Sequence, residues 1–233
     1  MAPNPGPMTL DGTNTYLVGS GGAVVIDPGP ADRGHIDAVR EAAEERGGIG
    51  AVLLTHSHGD HSDGVALLGV EPTELPDGVA LGPLTALATP GHAKDHLCFL
   101  LDRGDDGTAC FTGDLILGEG STFVPPAAGG GSLTDYLDSL RRLQKLDLKL
   151  LYPGHGPEID DPAAVIAQYL EHRLDRERRL LAALDRGERS RDALLAEVWD
   201  DVPPELRDAA AVVMQAHMEK LEAEGRLPPD IKD

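Results

Sequence analysis

Cysteine is nearly absent. The 233-residue chain has two, Cys98 and Cys110, each inside an apolar, strand-like run. They are expected as buried free thiols in a reducing compartment, and a disulfide scaffold is excluded. Long hydrophobic runs are missing as well: no stretch approaches the ~20 apolar residues that cross a bilayer. The first residues also lack the basic-then-apolar pattern of a secretion signal, so a soluble, cytoplasmic protein without a membrane partner is expected. Positive charge is scarce, with 20 basic side chains against 40 acidic ones and a formal net charge of −20. That balance weighs against a mainly electrostatic grip on long nucleic acid, although a local basic groove is still compatible with it. The length suits one large domain, or one domain with a small appendage.

Histidine, by contrast, is concentrated. Of nine in the chain, three fall within six positions, in Thr55-His56-Ser57-His58-Gly59-Asp60-His61, directly after the apolar run Ile49-Gly50-Ala51-Val52-Leu53-Leu54. A buried strand ending in a tight loop holds such a cluster rigidly. In an extended segment His56, His58 and Asp60 point one way and His61 another, so the loop offers donors in two directions, as two metals require. A polar loop merely rich in His is the alternative, and the downstream residues argue against it. Thr89-Pro90-Gly91-His92, Phe111-Thr112-Gly113-Asp114 and Tyr152-Pro153-Gly154-His155-Gly156 each bring a donor beside glycine after an apolar run. Imidazole and carboxylate donors without thiolate suit Zn²⁺, with Mn²⁺ and Fe²⁺ as the other candidates.

Together these segments resemble the metallo-β-lactamase-fold hydrolases. Asn4-Pro5-Gly6-Pro7, Gly12-Thr13-Asn14-Thr15-Tyr16-Leu17, the run from Gly113 to Thr122, and Tyr152 to Pro157 are similar to the β-lactamase-like protein 2 group, a relative of glyoxalase II. The resemblance implies an α/β fold, specifically an αββα sandwich with the metals at one edge. It also implies that His56, His58 and His92 bind one metal, that Asp60, His61 and His155 bind the second, and that Asp114 bridges. Two cations sharing Asp114 would acidify a water between them and yield a bridging hydroxide as nucleophile, with Asp60 assisting proton transfer.

Such a site identifies hydrolysis and leaves the bond open. A small acyl thioester or ester is the first expectation, because the chain is acidic and the resemblance extends towards glyoxalase II. The alternative is a single-strand-specific endoribonuclease, an activity the β-lactamase-like protein 2 resemblance also implies. A metal-binding scaffold without turnover is disfavoured by the complete ligand set, and true β-lactamase activity is the least favoured hydrolase reading.

Along the chain, residues 1–14 are expected as an irregular lead-in, followed by a hairpin of Thr15–Val18 and Ala23–Ile26. Asp27 is read either as a turn residue or as a partner of a metal ligand. A helix from Ala31 to Arg46 should carry His35 into solvent. Between His61 and His92 the chain is broken by proline and glycine, and the extra helix and strand usual in relatives are expected to be missing. Leu97–Leu101 and Thr108–Thr112 should pair as antiparallel strands carrying Asp114. His96 is read as an ordinary exposed histidine ahead of a partner to a ligand, and Lys94 as a surface residue. Gly118 to Ser132 should line the site's mouth, with Ser121 and Thr122 donating to substrate. Ser132 with Asp135 forms a capping box, and Leu148–Tyr152 delivers His155. The catalytic domain is placed at 1–160 and a helical, winged-helix-like domain at 161–233. That appendage is expected to roof the cleft or to pair two subunits as a homodimer. Within it His172 is a candidate substrate contact and His217 a core residue. Arg173, Arg176, Arg178, Arg179, Arg186, Arg189 and Arg191, offset by four acidic neighbours, read as a solvated, ion-paired face.

Overall fold

The computed structural model describes residues 1–232. The chain forms two compact units, one of Met1–Thr89, Asp95–Thr122 and Leu146–Ala163, the other of Pro90–Lys94, Phe123–Lys145 and Ala164 onward. The sequence-based division at 160/161 follows the motifs; the compact units instead group residues 90–94 and 123–145 with the C-terminal helices.

Two sheets build the first unit. Strands β1 (Tyr16–Val18), β2 (Ala23–Ile26) and β3 (Ile49–Leu53) form one, with β1 antiparallel and β3 parallel to β2. A parallel neighbour needs a crossover, supplied by α1 (Arg33–Glu44), whose start is capped by the Asp32 carboxylate accepting from the His35 amide. Alternation along β2 and β3 sends Val25 and Val52 towards Ile36 and Val39 of α1, and Ile26 and Leu53 to the opposite face. The second sheet runs β4 (Ala80–Leu81), β5 (Leu84–Ala88), β6 (Leu97–Asp102), β7 (Thr108–Gly113) and β8 (Leu148–Pro153), antiparallel until the parallel β7–β8 pair. Leu84, Ala86, Phe99 and Phe111 meet Ile26 and Leu53, so the two sheets bury a shared apolar layer.

Several expectations need correction. Between His61 and His92 the chain does carry elements: α3 (Val65–Leu68) and the β4–β5 hairpin. They are too short to produce a periodic signal. The metal-motif loop is not extended throughout, because Gly59–Ser62 closes one helical turn, α2, which lets Asp60 and His61 approach by backbone curvature rather than strand alternation. His35 is buried at 8% exposure, its Nε2–H donating to Thr15 Oγ1 at 2.8 Å.

In the second unit, α4 (Leu133–Gln144) begins at Ser132, whose hydroxyl accepts from the Asp135 amide. The helices α5 (Pro162–Asp185), α6 (Arg191–Val198) and α7 (Arg207–Ala223) share a core of Leu180, Leu184, Leu194, Val198, Trp199, Val213, Met214 and Leu221. The backbone of Lys232 pairs with that around Ser190, giving a short edge beside this core. The arginine stretch is only partly a solvated face. Arg173 and Arg176 are buried, at 3% and 4% exposure. Arg173 lies over the Tyr136 ring, and Arg176 grips Asp201 through two bonds of 2.7 and 2.8 Å. Arg178 and Arg179 remain ion-paired surface residues. His217 is fully buried, as expected of a core residue. Among the described residues no helix is long and apolar enough to cross a membrane.

Candidate metal centre

In the first unit the C-terminal ends of β2, β3, β7 and β8 release Asp27, the His56–His61 loop, Asp114 and His155 at one edge of the sandwich. Four side chains converge there. His61 Nε2 lies 3.3 Å from Asp114 Oδ1, 3.5 Å from Asp60 Oδ2 and 3.3 Å from His155 Nε2. His155 Nε2 lies 3.2 Å from Asp60 Oδ2 and 3.3 Å from Asp114 Oδ1. His56 Nε2 and His58 Nδ1 meet at 2.9 Å beside them. Two sets, Asp60–His61–His155 and His56–His61–Asp114, each place three ligand atoms within 4.8 Å of one another, close enough to hold a cation.

The far side of each ring fixes its tautomer. His155 Nδ1 faces the Gly12 carbonyl at 3.1 Å, which can only accept, so the proton sits on Nδ1 and Nε2 offers its lone pair. His61 Nδ1–H donates to Asp27 Oδ2 at 2.8 Å. The Thr55 hydroxyl donates to Asp27 Oδ2 at 2.6 Å and its oxygen accepts from His56 Nδ1, 3.0 Å away. Asp27 Oδ1 also takes the Thr55 amide at 2.7 Å. Of the two sequence readings of Asp27, the structure supports the partner of a ligand. The residue has a positive φ of 50°, a conformation Asp tolerates better than most side chains, and three hydrogen bonds hold it there.

Electrostatics agree with this donor set. Burial opposes a charge on His61, yet Asp114 and Asp27 hold its proton affinity well above the ordinary range. Burial likewise opposes charge on His155, but hydrogen bonds to Asp114 and Asp60 push it up to about 9. Asp60 is held low despite burial, through its bond to His155. The pocket thus favours positive charge at the point where two imidazole lone pairs and two carboxylates face each other, and the residues fit a divalent cation.

The remaining candidates fall as follows. His92 belongs to the second unit, is 5% exposed, and donates from Nδ1 to the Phe123 carbonyl at 2.6 Å, which leaves Nε2 as its acceptor nitrogen. His172, also in that unit, is driven down to about 4 by burial and by Arg173 and Arg176. Ser121 is exposed, whereas Thr122 is buried and its hydroxyl donates to the Asp114 carbonyl at 2.5 Å, an anchoring role rather than the substrate contact expected. His96 is 1% exposed, not a surface histidine, and its Nε2 accepts from the Asp114 amide at 3.2 Å.

The N-terminal lead-in holds more than its composition announces. The Asn14 side-chain amide donates to the carbonyls of Pro153 at 3.0 Å and Gly156 at 2.9 Å, bracketing the His155 turn. Only the resemblance of Gly12-Thr13-Asn14 to related sequences pointed there.

Residues 8–70 and 62–155 match the family model described as the metallo-beta-lactamase superfamily, and residues 190–227 match that of the beta-lactamase associated winged helix domain. Among relatives, the lactamase-like protein adaB of Aspergillus niger is 40% identical over 79% of this chain, which spans 62% of that protein's length. A beta-lactamase-like protein 2 homolog of Caenorhabditis elegans is 34% identical, covering 95% of this chain and 82% of the relative. An atrochrysone carboxyl ACP thioesterase of Aspergillus fumigatus is 34% identical, covering 99% and 74%. A metallo-beta-lactamase family protein from Thermus thermophilus superposes with a TM-score of 0.73 at 26% identity, covering 91% of this chain and 89% of that one. The structure of TTHA1623 in a di-iron-bound form superposes at 0.56 with 27% identity, over 71% of this chain and 96% of that one. An α/β sandwich with these donors at its edge and a winged-helix domain behind it in sequence places this chain in the metallo-β-lactamase superfamily.

Proposed function

We propose that the chain is a dinuclear metal-dependent hydrolase acting on a small acyl thioester or ester, with Zn²⁺ the preferred metal. The observation that carries this reading is the convergence of Asp60, His61, Asp114 and His155 with outward-locked tautomers. By the sequence resemblance, His56, His58 and His92 would hold one metal and Asp60, His61 and His155 the other, with Asp114 available to both. When bound, the cation pair supplies Lewis acidity and a water acidified towards neutrality. Asp60 is the member of its ligand set that reaches solvent, with 28% of its side chain exposed, and it is held as a carboxylate, so its Oδ2 would be free to take up a proton at the mouth of the site. Asp27 and the Gly12 carbonyl keep both imidazoles facing inward during turnover. Residues 1–160 carry the chemistry and 161–233 form the helical domain; Ser121 and His172 are candidate substrate contacts. Two buried free thiols and the absence of a membrane-crossing helix among the described residues support a cytoplasmic setting.

The thioester preference draws on the net charge of −20, which disfavours polyanions, and on similarity to proteins named as thioesterases. Arg176, Arg178, Arg179, Arg186 and Arg189 each pair with a carboxylate, which leaves less basic surface for RNA than the sequence suggests. Metal-loaded protein should be offered a panel of acyl thioesters and a labelled single-stranded RNA. Thioester hydrolysis that disappears in His58→Ala is the expected result. RNA cleavage lost in His58→Ala, with no thioesterase activity, would reverse the order.

A further inference from the structure

We infer that His96 is a positioning residue that fixes the peptide carrying Asp114 and so aims the bridging carboxylate; the inference rests on the dinuclear reading above. An amide N–H can only donate, so the 3.2 Å contact from Asp114 N makes His96 Nε2 an acceptor and puts the ring proton on Nδ1. Nδ1 lies 2.9 Å from Thr89 Oγ1, and the Thr89 hydroxyl lies 3.3 Å from Cys98 Sγ. Donation therefore runs in one direction, from Asp114 to His96 to Thr89, whose hydroxyl has Cys98 Sγ at 3.3 Å and the Leu87 carbonyl at 3.5 Å as acceptors. Thr89 and Cys98 are fully buried and His96 nearly so, so water does not compete for these bonds.

Other contacts close on the same peptide. Gly113 has φ +46°, and a Cβ there would meet Thr55 Oγ1 at 2.6 Å and His96 Nε2 at 2.8 Å. The Asp114 carbonyl accepts from Thr122. Both backbone polar groups of Asp114 are thus held by side chains, and its carboxylate has only its own rotamers left to adjust. The His96 ring also lies 5.2 Å from that of His56, so a single buried imidazole abuts both the His56 ring and the peptide that carries Asp114.

The test is Zn²⁺ titration of wild type, His96→Phe, His96→Gln and Thr89→Val, with ¹⁵N NMR of the metal-free protein. His96→Phe keeps the ring and loses the acceptor; the Gln side-chain oxygen restores it. The expected outcome is roughly 10–100-fold weaker binding in His96→Phe, recovery of most of that loss in His96→Gln, and an intermediate loss in Thr89→Val. Equal affinity in wild type and His96→Phe, or Gln no better than Phe, would overturn the inference. If His96→Phe does not fold, Thr89→Val carries the same comparison, since it removes the acceptor for Nδ1–H without touching the ring. In metal-free wild type the spectrum should show His96 protonated at Nδ1 and bare at Nε2, and the opposite tautomer would refute the assignment. Failure of wild type to bind Zn²⁺ would strike the dinuclear reading instead, and the tautomer would still decide the role of His96.

Discussion

His61 and His155 face each other Nε2 to Nε2 at 3.3 Å, each committed behind, one to Asp27 and the other to the Gly12 carbonyl. With both rings neutral, two lone pairs would repel at that separation, and Asp60 and Asp114 bring negative charge to the same place, which is why the proton affinity of both rings is raised. A divalent cation shared by the four groups would answer all of them at once. Gly154 makes the approach sterically feasible: a Cβ there would lie 2.7 Å from His61 Cε1 and 2.9 Å from Asp114 Oδ1. Gly154→Ala should therefore lower metal affinity by at least about tenfold, because a displaced ligand or its support costs that much. A metal titration that matches wild type would contradict this.

Asp27 accepts three hydrogen bonds, from the Thr55 amide, the Thr55 hydroxyl and His61 Nδ1–H. An asparagine at this position turns one acceptor oxygen into a donor, so at least one of the three loses its partner in a dry site. Asp27→Asn should cost about 1–3 kcal/mol of stability, read by denaturant unfolding. It should also weaken metal binding by roughly 10–100-fold. Loss of stability with unchanged metal affinity would show that Asp27 braces the strand end and not His61.

Gly91, beside His92, sits at φ +144°, and a Cβ there would come 2.3 Å from Tyr136 Cα and 2.5 Å from Tyr136 N. Backbone cannot yield as a flexible side chain would. Gly91→Ala should destabilise the protein by about 3 kcal/mol or more, within the range of severe single substitutions. A thermal shift within error of wild type would contradict the close approach.

His217 is fully buried, its two ring nitrogens have no hydrogen-bond partner, and its ring stands edge-on to Trp199 at 5.6 Å. Burial, then Arg173, Lys220, His172 and Arg176, hold its proton affinity well below the ordinary 6.5, and His172 is lowered to about 4. Below about pH 6.5 the unfolded chain takes up protons that the folded one refuses, so this contribution is complete above that pH and is lost as pH falls towards 4. Metal-loaded protein should melt at progressively lower temperature from pH 7 to pH 5, and the fall should be smaller in His217→Leu. Identical pH slopes in the two proteins would rule His217 out as the source.

Much of the candidate donor cluster was legible because apolar runs ending in Gly, His or Asp are local signals, and β3, β7 and β8 arise from local runs. Features that depend on distant partners were not. His35 reads as polar on an exposed turn, and its burial depends on Thr15, twenty residues away. The turn Gly59–Ser62 is too short for periodicity to separate from an extended loop. Arg173 and Arg176 lie at helical spacing between the buried Tyr169 and Leu180, a stripe that was available but masked by the charge of the residues. The hold of Asn14 on the His155 turn spans some 140 positions, beyond any local pattern.

Counting metal per chain tests the central claim most directly. Protein prepared without chelator and reconstituted with Zn²⁺ or Mn²⁺ should hold about two equivalents, and His155→Ala should fall to about one, with His56 and His58 still in place. Wild-type protein that consistently holds none, or a His155→Ala variant that keeps both, would contradict it.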